Sequence, residues 1–239
     1  MMTYYTRTEI GNIRENNEDS FLTKELNGAL LLLICDGMGG HNSGEVASQM
    51  AVKLTDEWNF EFKNAKPSDI KKAIKRLVED INIKIYLKSK SSDKLSGMGT
   101  TFSMVVIYDN YLYYAHVGDS RIYICDKKLK QITTDHTIME EMRKKGIEIE
   151  DDSKYVGYIT RAVGSSSIVV ADIDKMKLKD TSSVLLCSDG ITKYIFDHEL
   201  EEIILKGMEE KETVDRLVEL SLERGGRDNI TCIFAKIGE

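Results

Sequence analysis

Two apolar runs in this 239-residue chain end in the same pair of residues: Leu32-Leu33-Ile34-Cys35-Asp36-Gly37 and Leu185-Leu186-Cys187-Ser188-Asp189-Gly190. An apolar strand ending in Asp-Gly carries its carboxylate to the rim of a sheet, and the glycine lets the backbone turn sharply or expose its carbonyl. A third aspartate, Asp228, lies in Gly225-Gly226-Arg227-Asp228-Asn229-Ile230-Thr231, just before the last apolar run. Taken singly, an Asp-Gly or Gly-Gly pair reads as a plain turn. Gathered in one place, three carboxylates repel one another unless a cation neutralises them. An all-oxygen ligand set selects hard cations, so Mn²⁺ or Mg²⁺ is expected and Zn²⁺ is not. Three carboxylates with two such ions leave roughly one net positive charge, which can hold a phosphate dianion and an attacking hydroxide together.

The segment Gly11-Asn12-Ile13-Arg14-Glu15-Asn16-Asn17-Glu18-Asp19 adds a guanidinium and further carboxylates. The planar fork of Arg14 suits a phosphate, although on spacing alone this stretch reads as a solvated loop. The formal net charge of −7 argues against a sequence-independent nucleic-acid binder. It also means that any phosphate chemistry needs a local source of positive charge. Cys35, Cys125, Cys187 and Cys232 show no C-x-x-C spacing and lie in apolar runs, so they read as reduced, buried side chains. The first residues lack the apolar stretch of a signal peptide, and Ala29 to Cys35 is too short to span a bilayer. No membrane contact and a cytoplasmic location are the expectation.

Strands that could position these groups are predicted at Leu30 to Cys35, Thr100 to Tyr108, Tyr111 to Val117, Arg121 to Cys125, Ile168 to Ala171, Ser183 to Cys187 and Ile230 to Ile237. Asp109-Asn110 favours positive φ and reads as a tight hairpin turn. Helical spacing appears after Ser43 (Ala47, Met50, Ala51, Leu54, Trp58) and after Pro67 with Ser68 as cap (Ile70, Ala73, Ile74, Leu77, Ile81). It recurs after Asp197, again as cap, and over Val214, Leu217, Val218 and Ser221. Short-turned strands with helices arriving in pairs predict an α+β fold, two packed antiparallel sheets with helices on both outer faces. No linker-like composition divides residues 1–239, so one domain is expected.

The ordered series of motifs resembles the compact bacterial branch of the type-2C metal-dependent protein serine/threonine phosphatases. It comprises Arg14 with Asn17-Glu18-Asp19, DGMGGHNSGEVAS from Asp36, GMGTT from Gly97, VGDSRIY from Val117, TTDH from Thr133, ITRAVG from Ile159, LLCSDGIT from Leu185 and GGRDNIT from Gly225. The resemblance implies hydrolysis of phosphoserine and phosphothreonine in proteins by a hydroxide bridging two divalent cations. It implies that Asp36 bridges both metals, that the Gly37 carbonyl reaches one, and that Asp189 and Asp228 complete the ligands. Glu18 and Asp19 are then outer groups holding metal-bound waters, and Arg14 is the phosphate clamp. Asp119, with Asp189, is similar to the pair holding a weaker third metal in related enzymes. The implied partners are phosphoproteins that a Ser/Thr kinase has modified, and a monomer is the default.

Two features depart from the family pattern. Many relatives carry His two residues after the bridging aspartate, as a proton donor to the leaving oxygen, where this chain has Met38. His41 is expected to cap or orient its loop. Residues 137–158 correspond to a flap in relatives, and their charge pattern, with Glu148, Glu150, Asp151 and Asp152, otherwise reads as a solvated helix and loop.

Competing chemistries fare worse. A thiol phosphatase needs Arg six residues after its cysteine, and those positions hold His41, Gln131, Lys193 and Gly238. A phosphoaspartyl hydrolase needs D-x-D-x-[TV], but Met176 follows Asp172 and Asp174 at the last place. A non-catalytic phosphoprotein-binding module on the same fold is the alternative from a different class. Loss of a metal aspartate would favour it, and all three are present.

Overall fold

The computed structural model describes residues 2–40, 43–147, 155, 157–179 and 181–238. In chain order the elements are β1 (Met2–Glu9), β2 (Asp19–Leu26), β3 (Ala29–Met38), α1 (Ser43–Asp56), α2 (Pro67–Ser89), a 3₁₀ turn (Asp93–Leu95), β4 (Gly99–Thr100), β5 (Phe102–Tyr108), β6 (Tyr111–Val117), β7 (Arg121–Cys125), β8 (Leu129–Gln131), α3 (Ile138–Lys144), β9 (Asp172–Lys177), β10 (Ser183–Cys187), α4 (Asp189–Thr192), α5 (Asp197–Leu205), α6 (Glu210–Glu223) and β11 (Ile230–Ile237). One sheet runs β1-β11-β10-β7-β8, and the other runs β2-β3-β5-β6-β9 with β4 paired to β3. The pairings are antiparallel.

The period-two geometry of a strand decides which side chain enters which layer. Leu30, Leu32 and Ile34 of β3 meet Val184 and Leu186 of β10 and Ile233 and Ala235 of β11 between the sheets. The alternate residues Leu31, Leu33 and Cys35 face the other way, onto Ala47 and Ala51 of α1 and Ile74 and Ile81 of α2. On the far side, Leu185, Cys187, Cys232 and Phe234 pack on Leu200 of α5 and on Val214 and Leu217 of α6. The result is the expected helix–sheet–sheet–helix sandwich. A strand buried on both faces cannot slip by one residue without exposing its apolar side chains. The register that carries Asp36 to the end of β3 is therefore strongly specified.

Asp109 and Asn110 turn with φ of 50° and 58°, joining β5 to β6 as expected. The four cysteines are free and buried. Three local expectations need correction. The strand placed at Ile168 to Ala171 begins instead at Asp172, which pairs with His116, while Ile168 and Val170 stay exposed. The N-cap of α2 is Lys66, with Pro67 as the first helical residue, so Ser68 lies inside the helix. Asp197 is likewise the first residue of α5, after Phe196, whose N–H donates to Glu199 Oε2 at 3.1 Å. His41 and residues 148–154, which include the acidic part of the expected flap, lie outside the described residues. Among the described residues no helix is long and apolar enough to cross a membrane.

Candidate metal centre

Five chain segments meet at one end of the sandwich. Asp36 stands near the end of β3 and Asp19 directly opposite it at the start of β2. Asp189 lies two residues after the end of β10, and Asp228 two residues before the start of β11. Asp119 occupies the turn where the chain leaves β6 in one sheet for β7 in the other. The loop carrying Arg14 and Glu18 also passes between the sheets, from β1 to β2. The rim is thus built from both sheets.

The backbone around each carboxylate is fixed by short hydrogen bonds. Asp36 N–H donates to Thr101 Oγ1 at 2.8 Å, and the Asp36 carbonyl accepts from Thr101 N–H at 2.8 Å and from Thr100 Oγ1 at 3.0 Å. Gly37 packs so tightly that a Cβ there would lie 2.2 Å from the Gly44 carbonyl oxygen. A Cβ on Gly44 would in turn come within 2.8 Å of both the Gly37 carbonyl oxygen and Glu18 Oε1, so these groups crowd one corner. Gly190 faces the Asn229 carbonyl oxygen, 2.0 Å from where a Cβ would stand. Asn229 Oδ1 accepts from Glu18 N–H at 2.9 Å, while its amide donates to the carbonyls of Ile10 and Asn16. Ser188 Oγ donates to Asp19 Oδ2 at 2.8 Å and accepts from Thr231 N–H at 3.0 Å.

The electrostatics are those of crowded, desolvated anions. Burial lifts the Asp36 carboxyl well above the usual range, and Asp19, Asp189, Asp119 and Asp228 push it in the same direction. Burial raises Asp19 to about 7, with Asp189 and Asp228 adding to the effect and the Thr231 and Ser188 hydroxyls opposing it. Burial and then Asp189 raise Asp119 to about 7 against the pull of Lys193. Burial raises Asp189 as well, again against Lys193. Three buried carboxylate oxygens, Asp19 Oδ1, Asp119 Oδ1 and Asp189 Oδ1, have no hydrogen-bond partner. An anionic oxygen buried without a partner is costly and calls for a cation. The donor set is entirely oxygen, which fits Mn²⁺ or Mg²⁺.

Two side-chain cations already sit among these anions. Arg14 Nη2 lies 2.7 Å from Asp228 Oδ1. Lys193 Nζ lies 2.5 Å from Asp189 Oδ2 and 2.8 Å from Asp228 Oδ2. Among the described residues no three acidic, His or Cys side chains already stand in a metal-holding arrangement, consistent with Lys193 standing between two of the expected ligands. Sequence reasoning named Lys193 only as a position that is not arginine. Its spacing of four residues from Asp189, on one helical turn, was the available signal.

The fold is shared with solved members of one family. A sequence model of the family described as protein phosphatase 2C matches residues 13–232. The chain belongs to that family. Serine/threonine phosphatase stp of Listeria monocytogenes is 33% identical to this 2C phosphatase over 238 residues, covering 96% of this chain and 94% of its own. Protein phosphatase PhpP of Streptococcus pneumoniae is 30% identical, covering 97% and 96%. The catalytic domain of the serine/threonine protein phosphatase PstP, solved in complex with two manganese ions, is 31% identical, with a TM-score of 0.86 over 100% of this chain and 99% of that one.

Motif residues that sequence reasoning left without roles brace the rim of this 2C phosphatase. The Gly118 N–H donates to His136 Nδ1 at 3.1 Å, and the Gly118 carbonyl accepts from His136 N–H at 2.7 Å. His136 Nε2 lies 3.2 Å from Asp172 Oδ2, and Arg161 Nη1 lies 3.3 Å from Asp172 Oδ1. This network holds the turn bearing Asp119. It also engages Asp172, the residue that a phosphoaspartyl mechanism would need free.

Proposed function

We propose that this 2C phosphatase hydrolyses phosphoserine and phosphothreonine in proteins, using two divalent cations, Mn²⁺ or Mg²⁺, at the rim. The observation that carries this is the convergence of Asp36, Asp119, Asp189 and Asp228 with buried carboxylate oxygens left unpaired. Asp36 would bridge the two cations, the Gly37 carbonyl would reach one, and Asp189 and Asp228 would complete their protein ligands. Asp119 with Asp189 would hold a weaker third. When bound, the cations would supply Lewis-acid charge to the phosphate and lower the pKa of water towards neutrality.

This chain's own residues do the rest. Glu18 and Asp19 would orient water at the edge of the site. Arg14, exposed and long, would leave Asp228 to meet the phosphate with two parallel hydrogen bonds. Met38 cannot move a proton, so a group other than this side chain would protonate the leaving oxygen. The protein would act as a monomer and a single catalytic domain, in the cytoplasm, reversing the signalling action of a Ser/Thr kinase.

The direct test is hydrolysis of an aryl phosphate and of a phosphothreonine peptide after chelation and again after Mn²⁺ is restored. Activity should vanish and return; equal turnover in both conditions sinks the proposal. If Mn²⁺ is taken up and the phosphopeptide is bound but never hydrolysed, the chain is instead a non-catalytic binding module. The Arg14→Ala variant should raise KM for the phosphopeptide about tenfold, the loss of roughly 1.4 kcal/mol of substrate binding. Its Mn²⁺ affinity should change far less, as titration calorimetry would show.

A further inference from the structure

We propose that Lys193 is a resident counter-ion of the metal centre, which a divalent cation must displace in order to bind between Asp189 and Asp228. The proposal rests on the two-cation reading above. Of the four carboxylate oxygens on these two residues, Asp189 Oδ2 and Asp228 Oδ2 are taken by Lys193 at 2.5 and 2.8 Å, and Asp228 Oδ1 by Arg14 at 2.7 Å. The last, Asp189 Oδ1, is buried without a partner. One ammonium therefore spans the gap between two proposed ligands.

The lysine is held there by the backbone. Lys193 N–H donates to the Asp189 carbonyl at 2.8 Å, so the short helical turn fixes the base of the side chain beside the first carboxylate. Its stem is not locked in, because over a third of the side chain is exposed. A compact, strongly hydrated charge on a flexible four-carbon stem can swing into water. An ordinary surface ion pair would contribute little, but here both partners belong to the carboxylate cluster.

Two effects follow. Without divalent ions, Lys193 relieves part of the repulsion among the carboxylates and protects the fold. With them, its charge opposes their entry and raises the concentration of free metal at which the enzyme switches on. Lys193 is thus a residue that sets metal affinity, and it needs no contact with substrate.

The test is titration calorimetry of MnCl₂ into the chelator-stripped full chain, comparing wild type with Lys193→Met, Lys193→Arg and Asp36→Asn. Methionine keeps most of the stem and removes the charge, and should bind Mn²⁺ at least about tenfold more tightly, as 1.4 kcal/mol of differential binding produces. Arginine keeps the charge and should bind no more tightly than wild type. In chelator, Lys193→Met should melt below wild type by circular dichroism, and saturating Mn²⁺ should close the gap. A variant unfolded in chelator that refolds with Mn²⁺ supports the proposal equally. If Asp36→Asn loses Mn²⁺ binding while Lys193→Met matches wild type in affinity and melting, this inference alone falls. If Asp36→Asn binds Mn²⁺ as wild type does, the two-cation reading falls with it.

Discussion

Replacing Asp36 with asparagine should lower kcat/KM for a phosphothreonine peptide by at least about 10³-fold, a loss of about 4 kcal/mol of transition-state stabilisation, and should leave the fold intact. The hydrogen bonds that hold this residue are made by its main chain, to Thr100 and Thr101, and asparagine keeps all of them. What disappears is a carboxyl group whose ionisation is opposed by burial and by four other aspartates. In chelator the variant should therefore melt at or above the wild-type temperature, because relieving a desolvated anion stabilises the folded state. Asp189→Asn should behave in the same way. A variant that retains near-normal turnover with Mn²⁺ would show that Asp36 is not the group around which the chemistry is organised. Equal loss of activity and of melting temperature would show a purely structural role.

The metal-free enzyme should also become less stable as pH rises from about 6.5 to 8.5. Asp19 and Asp119 titrate near 7 in the folded protein, whereas carboxylates of an unfolded chain titrate near ~4. Between those values the folded state binds more protons than the unfolded state, so stability falls as pH rises. The penalty is absent below the unfolded pKa and complete above the folded one. Lys193 and Arg14 face the same cluster and reduce the penalty without reversing its sign. The window starts at 6.5 because two buried histidines act in the opposite sense below it. Burial depresses His116 to about 3 and lowers His136, so both must be neutral in the fold, and stability falls as pH drops past the unfolded histidine value. Above that point the carboxylates dominate. The expected effect is about 1 kcal/mol, a fall in Tm of roughly 3 °C. Saturating Mn²⁺ should abolish or invert the trend, because deprotonated oxygens are what a cation binds. A chelated protein that melts higher at pH 8.5 than at 6.5 would contradict this account.

What could be read from the sequence follows from how strongly each signal is written in side-chain chemistry. β3, β5, β10 and β11 were legible because apolar and β-branched runs declare burial, and Asp109-Asn110 because few pairs tolerate positive φ. The two strands Met2–Glu9 and Asp19–Leu26 were not assigned. Each forms an outer edge of its sheet, and side chains such as Tyr4 and Phe21 stay partly exposed, so no clean alternation survives. The misplaced strand at Ile168 shows the converse error. Val169 and Ala171 pack against the core beneath α2, but Ile168 and Val170 do not, and pairing with β6 begins only at Asp172. The acidic residues of the site were legible because strand ends and glycines mark them. The groups that hold them, Ser188, Asn229, Thr101 and His136, were not, since a hydroxyl or amide reveals its partner only when the chain is folded. Lys193 was missed for a related reason: a lysine on a short surface turn looks like solubility.

The rim draws Asp19 and Asp36 from one sheet and Asp189 and Asp228 from the other. A divalent ion held by these residues would be a rivet through two plates, fastening them at one edge, while the leucines and isoleucines between them glue the remainder. Starving the protein of metal pulls that rivet and leaves the glue. The plates would then part first at the mouth, beside the carboxylates, so metal hunger would loosen this enzyme from that end inward.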